Sequence, residues 1–157
     1  MDPLTPDIAE VAPDDPRLAG LIDRHLTLMR ASSPACSVHA MDADRLAEGG
    51  ARMFAIFDGG GQAVAMGAVK PIGADEVELK SMHVAAEARG RGYARLLLDR
   101  LLDAARQGGA LRASLETGSQ DAFEPARALY RRAGFEDCAP FAGYTDDPNS
   151  VFLSRAL

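Results

Sequence analysis

The stretch Val84-Ala85-Ala86-Glu87-Ala88-Arg89-Gly90-Arg91-Gly92-Tyr93-Ala94-Arg95-Leu96-Leu97-Leu98 reads as a strand end, an Arg/Gly-rich turn and the start of an amphipathic helix. Arg89, Arg91 and Arg95 stand at the helix entrance, and no acid follows until Asp99. That order is backwards for an isolated helix, whose N-terminus carries roughly half a positive charge and favours Asp or Glu. Free backbone N–H groups, glycines that let a ligand come close and local cations describe an anion site, of the kind that holds a cofactor pyrophosphate.

Outward from this turn, the pattern alternates between the two periods of regular structure. Upstream, Ile8–Val11 reads as a short strand, and Asp14 or Asp15 before Pro16 starts a helix. Leu18, Leu21, Ile22, His25, Leu26 and Met29 recur there at helical spacing, which places His25 in the core. Residues 31–40 (ASSPACSVHA) break the pattern, and a short helix follows at Asp42–Glu48. Met53–Phe57, the turn Asp58-Gly59-Gly60-Gly61 and Gln62–Lys70 form a hairpin, and Glu76–Val84 is a third strand of the run. Downstream, Ala94, Leu97, Leu98, Leu101, Leu102 and Ala105 make one apolar stripe that Gly108-Gly109 stop. Leu111–Glu116 is a strand, Asp121–Ala133 a helix with Pro125 in its opening turn, and Phe135–Cys138 and Ser150–Leu157 two last strands. The order predicts a mixed α/β sheet.

The bulk composition sets limits. The 157 residues fit one domain, 1–157, with a real core, and 47% apolar and 25% charged residues are ordinary for a soluble fold. No apolar run approaches the roughly 18–20 residues that span a bilayer, so no membrane partner is expected. Met1–Asp7 lacks the basic start and apolar block of a signal peptide, which predicts a cytoplasmic protein. Cys36 and Cys138 have no metal spacing and read as free thiols, and no metal is expected. A net charge of −6 argues against a nucleic-acid partner and, by steering, mildly favours a cationic substrate. No G-x-x-x-x-G-K-[ST] is present, and Arg95 stands where a dinucleotide fingerprint needs its third glycine.

Two motifs carry a family resemblance. Arg89-Gly90-Arg91-Gly92-Tyr93-Ala94 matches [Q/R]-x-x-G-x-[G/A], the coenzyme A signature of the GCN5-related N-acetyltransferase (GNAT) superfamily. Ala126-Arg127-Ala128-Leu129-Tyr130-Arg131-Arg132-Ala133-Gly134-Phe135 resembles that family's Ala-x-x-Leu-Tyr-x-x-x-Gly-Phe helix end. Leu115-Glu116-Thr117-Gly118 and the tail Gly143–Phe152 are similar to a bacterial subgroup of small-molecule acetyltransferases. The resemblance spans residues 8–157. It implies an α/β fold whose mixed central sheet has about six to seven strands, flanked by about four helices. The fourth and fifth strands, adjacent and parallel, splay apart to form a cleft for acetyl-CoA, the co-substrate.

On this resemblance the backbone of Met82, His83 and Val84 pairs with pantetheine amides that satisfy the splayed strand. The N–H groups of Arg89, Gly90, Arg91, Gly92, Tyr93 and Ala94 hold the pyrophosphate. Relatives place a coenzyme-contacting Asn where this chain has Phe123, so that side-chain bond is lost.

The implied reaction is direct acyl transfer to an amine. An alkylammonium of pKa about 10.4 must lose a proton before attack, and the departing thiolate benefits from a donor. Tyr130 matches the family tyrosine that faces the coenzyme sulfur, as general acid. Glu116 and Glu78, one on each cleft strand, compete as base or amine anchor, and strand parity pairs Glu78 with Lys80 and Met82. His83 reads as packed rather than catalytic. Ser37 and His39, in the irregular segment that forms an acceptor wall in relatives, are expected at the substrate, together with Lys80 and Glu116. Tyr144–Pro148 reads as a solvated turn.

The expected activity is acetyl-CoA-dependent N-acetylation of a small-molecule or amino-acid-like primary amine. The alternatives are a protein N-terminal or lysine acetyltransferase, whose peptide needs an open groove near residues 31–50, and a non-catalytic coenzyme-A-binding module. The family admits a homodimer, with no interface legible in the sequence.

Overall fold

The computed structural model describes residues 6–34 and 42–157. Its strands are β1 (Ile8–Val11), β2 (Arg52–Phe57), β3 (Ala63–Pro71), β4 (Glu76–Val84), β5 (Arg112–Gly118), β6 (Glu136–Asp137) and β7 (Ser150–Ala156). Its helices are α1 (Ala19–Ser32), α2 (Ala43–Glu48), α3 (Tyr93–Gln107) and α4 (Glu124–Arg132). The strands form one mixed sheet in the order β1-β2-β3-β4-β5-β7-β6, with the adjacent parallel β4 and β5 that the resemblance implies. Where the sequence suggests one helix over Asp121–Ala133, a 3-10 turn at Asp121–Phe123 leads into α4. A similar turn, Pro16–Leu18, precedes α1.

Local chemistry explains the element ends. Asp58 Oδ1 accepts from the N–H of Gly60 and Gln62 at 2.9 and 3.0 Å, which closes the β2–β3 hairpin. Asp42 caps α2 by accepting from the Arg45 N–H at 3.0 Å.

Alternation along the strands sends two apolar sets to opposite faces of the sheet. Phe54, Ile56, Val77, Leu79, Ala113, Leu115 and Leu153 meet Leu97, Leu98 and Leu101 of α3 and Tyr130 of α4. Met53, Ala55, Met66 and Ala68 meet Leu21 and Ile22 of α1 and Leu46 of α2. The sheet is thus covered by α3 and α4 on one face and by α1 and α2 on the other.

Two irregularities in β4 make the site. Parallel pairing with β5 runs only from Glu76–Arg112 to Leu79–Leu115, so Lys80–Val84 and Glu116–Gly118 part company. On its other edge β4 carries a bulge: Lys80 faces Ala68 and His83 faces Met66, leaving Ser81 and Met82 together opposite Gly67. Ser81 takes a left-handed φ of 56° to make this turn. A Cβ on Gly67 would sit 2.5 Å from the Met82 sulfur and 2.9 Å from Leu101 Cδ1, so glycine across from the bulge leaves room for the Met82 side chain. The extra residue also corrects the parity reading. Met82 does not share the face of Glu78 and Lys80, because the bulge turns it towards α3 and turns His83 towards α1.

Candidate active site

The cleft between the diverging ends of β4 and β5 is lined from β4 by Glu78, Lys80, Ser81 and Met82, and from β5 by Glu116, Thr117 and Gly118. His25 and Met29 of α1 close one side, and Phe123, Ala126 and Tyr130 close the other. The structure therefore brings Glu78, Lys80, Met82, Glu116, Phe123 and Tyr130 to one place. Ser37, His39 and Cys36 lie outside the described residues, and Cys138 is a free, exposed thiol.

Tyr130 is 6% exposed, its ring held edge-on to Phe135 at 5.9 Å. Among the described residues nothing hydrogen-bonds its hydroxyl. Burial pushes the phenol pKa up, which keeps the proton on oxygen at neutral pH.

Glu78 is 3% exposed and engaged. Its Oε2 accepts from Lys80 Nζ at 3.1 Å and from the Tyr144 hydroxyl at 2.5 Å, and Lys80 Nζ also donates to the Tyr144 oxygen at 2.8 Å. Burial, and then the neighbouring Glu78 carboxylate, push the Tyr144 pKa up, so this phenol stays a donor. Glu116 is less enclosed, and its Oε1 accepts from Ser150 Oγ at 2.8 Å.

Tyr144 is the residue that the sequence reading misplaces. It is half-buried in the site, its ring packed with Phe141 and Phe152, rather than part of a solvated turn. Turn chemistry describes its polar neighbours, but the aromatic spacing Phe141, Tyr144, Phe152 was the signal of a packed segment.

Ser81 is also at the site, and the lone Gly67 inside a strand was its signal. It is 9% exposed, its Oγ has no hydrogen-bond partner, and its backbone is left-handed. An orphaned buried hydroxyl costs roughly 1–3 kcal/mol, and a non-glycine left-handed conformation costs about as much again.

Phe123 fills the position of the missing Asn with an apolar wall. Its ring lies so close over Gly118 that any Cβ there would collide with it. Arg127 fastens the same turn by donating to the carbonyls of Gly118 and Gln120 at 2.7 and 2.9 Å.

His25 and His83 meet through their Nδ1 atoms at 3.2 Å. Burial, then the charges of His83 and Lys80, bring the His25 pKa down to about 4. Burial, then Arg89 and Arg24, lower that of His83. Both rings are neutral at pH 7. As pH falls from about 6.5 to about 4, the unfolded chain binds a proton at His25 that the folded chain refuses, so folding stability falls. The full window is worth about 3 kcal/mol. Melting curves between pH 7 and pH 4.5 should therefore fall steeply for the wild type and less steeply for His25→Gln. Parallel curves would remove His25 as the cause.

Beyond the cleft, α3 opens on Gly92 at φ 80°, with no capping side chain and no acid in its first turn. The first N–H groups of a helix have no intrahelical acceptor. Gly90 shares that φ, and both glycines face open space, where an added Cβ would meet no protein atom within 4 Å. Arg95 pairs with Asp99 at 3.1 Å, whereas Arg89 and Arg91 make no ion pair among the described residues. The turn therefore offers unpartnered N–H groups and two uncommitted guanidinium groups to an anion. Among the described residues no cluster of His, Cys, Asp or Glu could hold a metal, and no helix is long and apolar enough to cross a membrane.

The family model described as Acetyltransferase (GNAT) family matches residues 18–135. The chain is 37% identical over 141 residues to the Bacillus subtilis (strain 168) uncharacterized N-acetyltransferase YsnE, covering 90% of this chain and 93% of that protein. It is 38% identical over 125 residues to the IAA acetyltransferase of Azospirillum brasilense, covering 79% and 80%. Among solved structures, a Klebsiella pneumoniae protein assigned as an acyl-CoA N-acyltransferase superposes with a TM-score of 0.80 at 28% identity, covering 98% and 99%.

Proposed function

Because this chain belongs to the acetyltransferase (GNAT) family and is an N-acetyltransferase, we propose that it moves an acetyl group directly from acetyl-CoA to the primary amine of a small or amino-acid-like acceptor. The observation that carries this reading is the gap itself. Pairing of β4 with β5 stops at Leu79 and Leu115, and the strand beyond the gap runs into an uncapped, cationic helix entrance. Backbone groups left unpaired along the gap call for a partner with amides, and the helix entrance calls for an anion. Coenzyme A supplies both.

The two faces of the sheet divide the work. Tyr130 reaches the cleft from the α4 side, and its protonated hydroxyl serves the departing sulfur as acid and hydrogen-bond donor. Glu78, Lys80 and Glu116 face the α1 side, where the acceptor enters. Both donors on Glu78 Oε2 compete with any incoming proton, so Glu78 shapes the acceptor site. Glu116 is the group that receives the ammonium and takes its proton. The cleft lining sets the two carboxylates of Glu78 and Glu116 against the one ammonium of Lys80, a balance that suits a cationic acceptor.

Thiol release from acetyl-CoA, measured over a panel of amines, amino acids and lysine-bearing peptides, tests the reading. The expected result is amine-dependent release that is strongest with small acceptors. Release only with peptides would make this a protein acetyltransferase, and no release with any amine would leave a coenzyme-binding module.

A further inference from the structure

Glu78, Lys80 and Tyr144 satisfy one another, and Tyr130 is assigned to the sulfur. Ser81 is the remaining side-chain donor that β4 contributes to the cleft wall, and its hydroxyl has no partner. The residue lies in the bulge, next to the point where β4 leaves β5, with a backbone conformation that serine adopts at a cost. An orphaned hydroxyl and a left-handed backbone at one buried position both work against stability. Glycine would relieve both at once, so folding does not account for the serine.

We propose that Ser81 is a further catalytic residue: its hydroxyl, turning about its single side-chain torsion, donates a hydrogen bond to the acyl carbonyl oxygen as negative charge gathers there. The proposal rests on the acetyl-transfer reading above. Ser81 forms no covalent bond. Ser81 keeps its own proton: the C–N bond forms and the C–S bond breaks, the amine gives one proton to the base, and Tyr130 gives its proton to the departing sulfur and takes the amine's second in return. A donor aimed at charge that develops only during reaction acts on turnover far more than on binding.

The test compares Ser81→Ala, which removes the hydroxyl and keeps the strained backbone, with Ser81→Gly, which relieves both. In both variants kcat should fall about 30- to 300-fold, near the span seen for loss of one such donor. Coenzyme A affinity by calorimetric titration should stay within about twofold. The melting temperature without ligand should equal or exceed that of wild type, and be higher for Ser81→Gly than for Ser81→Ala. An unchanged kcat in Ser81→Ala would overturn the assignment. So would a drop in melting temperature that parallels the loss of activity, because that is the signature of a structural serine. Wild-type protein that releases no thiol would overturn the acetyl-transfer reading and this assignment together, whereas active wild type with an unaffected Ser81→Ala overturns this assignment alone.

Discussion

Tyr130→Phe lowers turnover by roughly 10- to 1000-fold, around the usual span for acid–base catalysis, while coenzyme affinity and melting temperature stay close to wild type. The separation follows from what the hydroxyl touches. It has no hydrogen bond among the described residues, so its removal breaks nothing in the fold. The ring, packed against Phe135 in the core shared with α3, is retained in phenylalanine. A buried phenol whose pKa is pushed up carries its proton throughout the neutral range and has one use in the cleft, as a donor. Steady-state rates with acetyl-CoA and the best amine from the panel supply the measurement. Wild-type turnover in the variant would take Tyr130 out of the mechanism.

Gly92→Val weakens coenzyme A binding about 10- to 100-fold and leaves a folded protein. Gly92 sits at φ 80°, where a side chain costs roughly 1–3 kcal/mol. The chain relieves that strain by turning the Arg89–Gly92 loop out of the conformation that aims its N–H groups. No protein atom lies within 4 Å of the added Cβ, so the core is not disturbed. Gly61→Val is the matched control. Gly61 has φ 81° and open space around it, but it lies in the β2–β3 hairpin, away from the turn. Both variants should melt a few degrees lower than wild type, and only Gly92→Val should lose coenzyme. Calorimetric titration showing wild-type affinity in Gly92→Val, or equal losses in both, contradicts the role given to the turn.

Regular periodicity made most of the architecture legible. The stripe Leu97, Leu98, Leu101, Leu102 predicts α3, and all four side chains are buried. Asp58-Gly59-Gly60-Gly61 predicts a hairpin turn, and Asp58 closes it by accepting from the N–H of Gly60 and Gln62. Gly90 and Gly92 announce a tight turn before α3, and both take the left-handed conformation that favours glycine.

The failures come from places where period-two logic is interrupted or where contacts span the chain. The bulge at Ser81 inserts one residue into β4 and reverses the faces of Met82 and His83, which no alternation rule foresees. Tyr144 meets Glu78 across 66 positions of sequence, and its hydrogen bond exists only once β7 has brought its loop back over the sheet. His25 is buried, as its helical spacing predicts, but its partnership with His83 depends on that same bulge. The identity of the cleft strands was readable, and the chemical state of the residues on them was not.

Every assigned role depends on the 89–94 turn holding a diphosphate, and calorimetric titration of the wild-type protein with coenzyme A measures that grip itself. One site per chain is expected, with an affinity that weakens as salt rises, because the turn binds through charge. Absence of any heat at millimolar coenzyme, or binding indifferent to both salt and Gly92→Val, would contradict it.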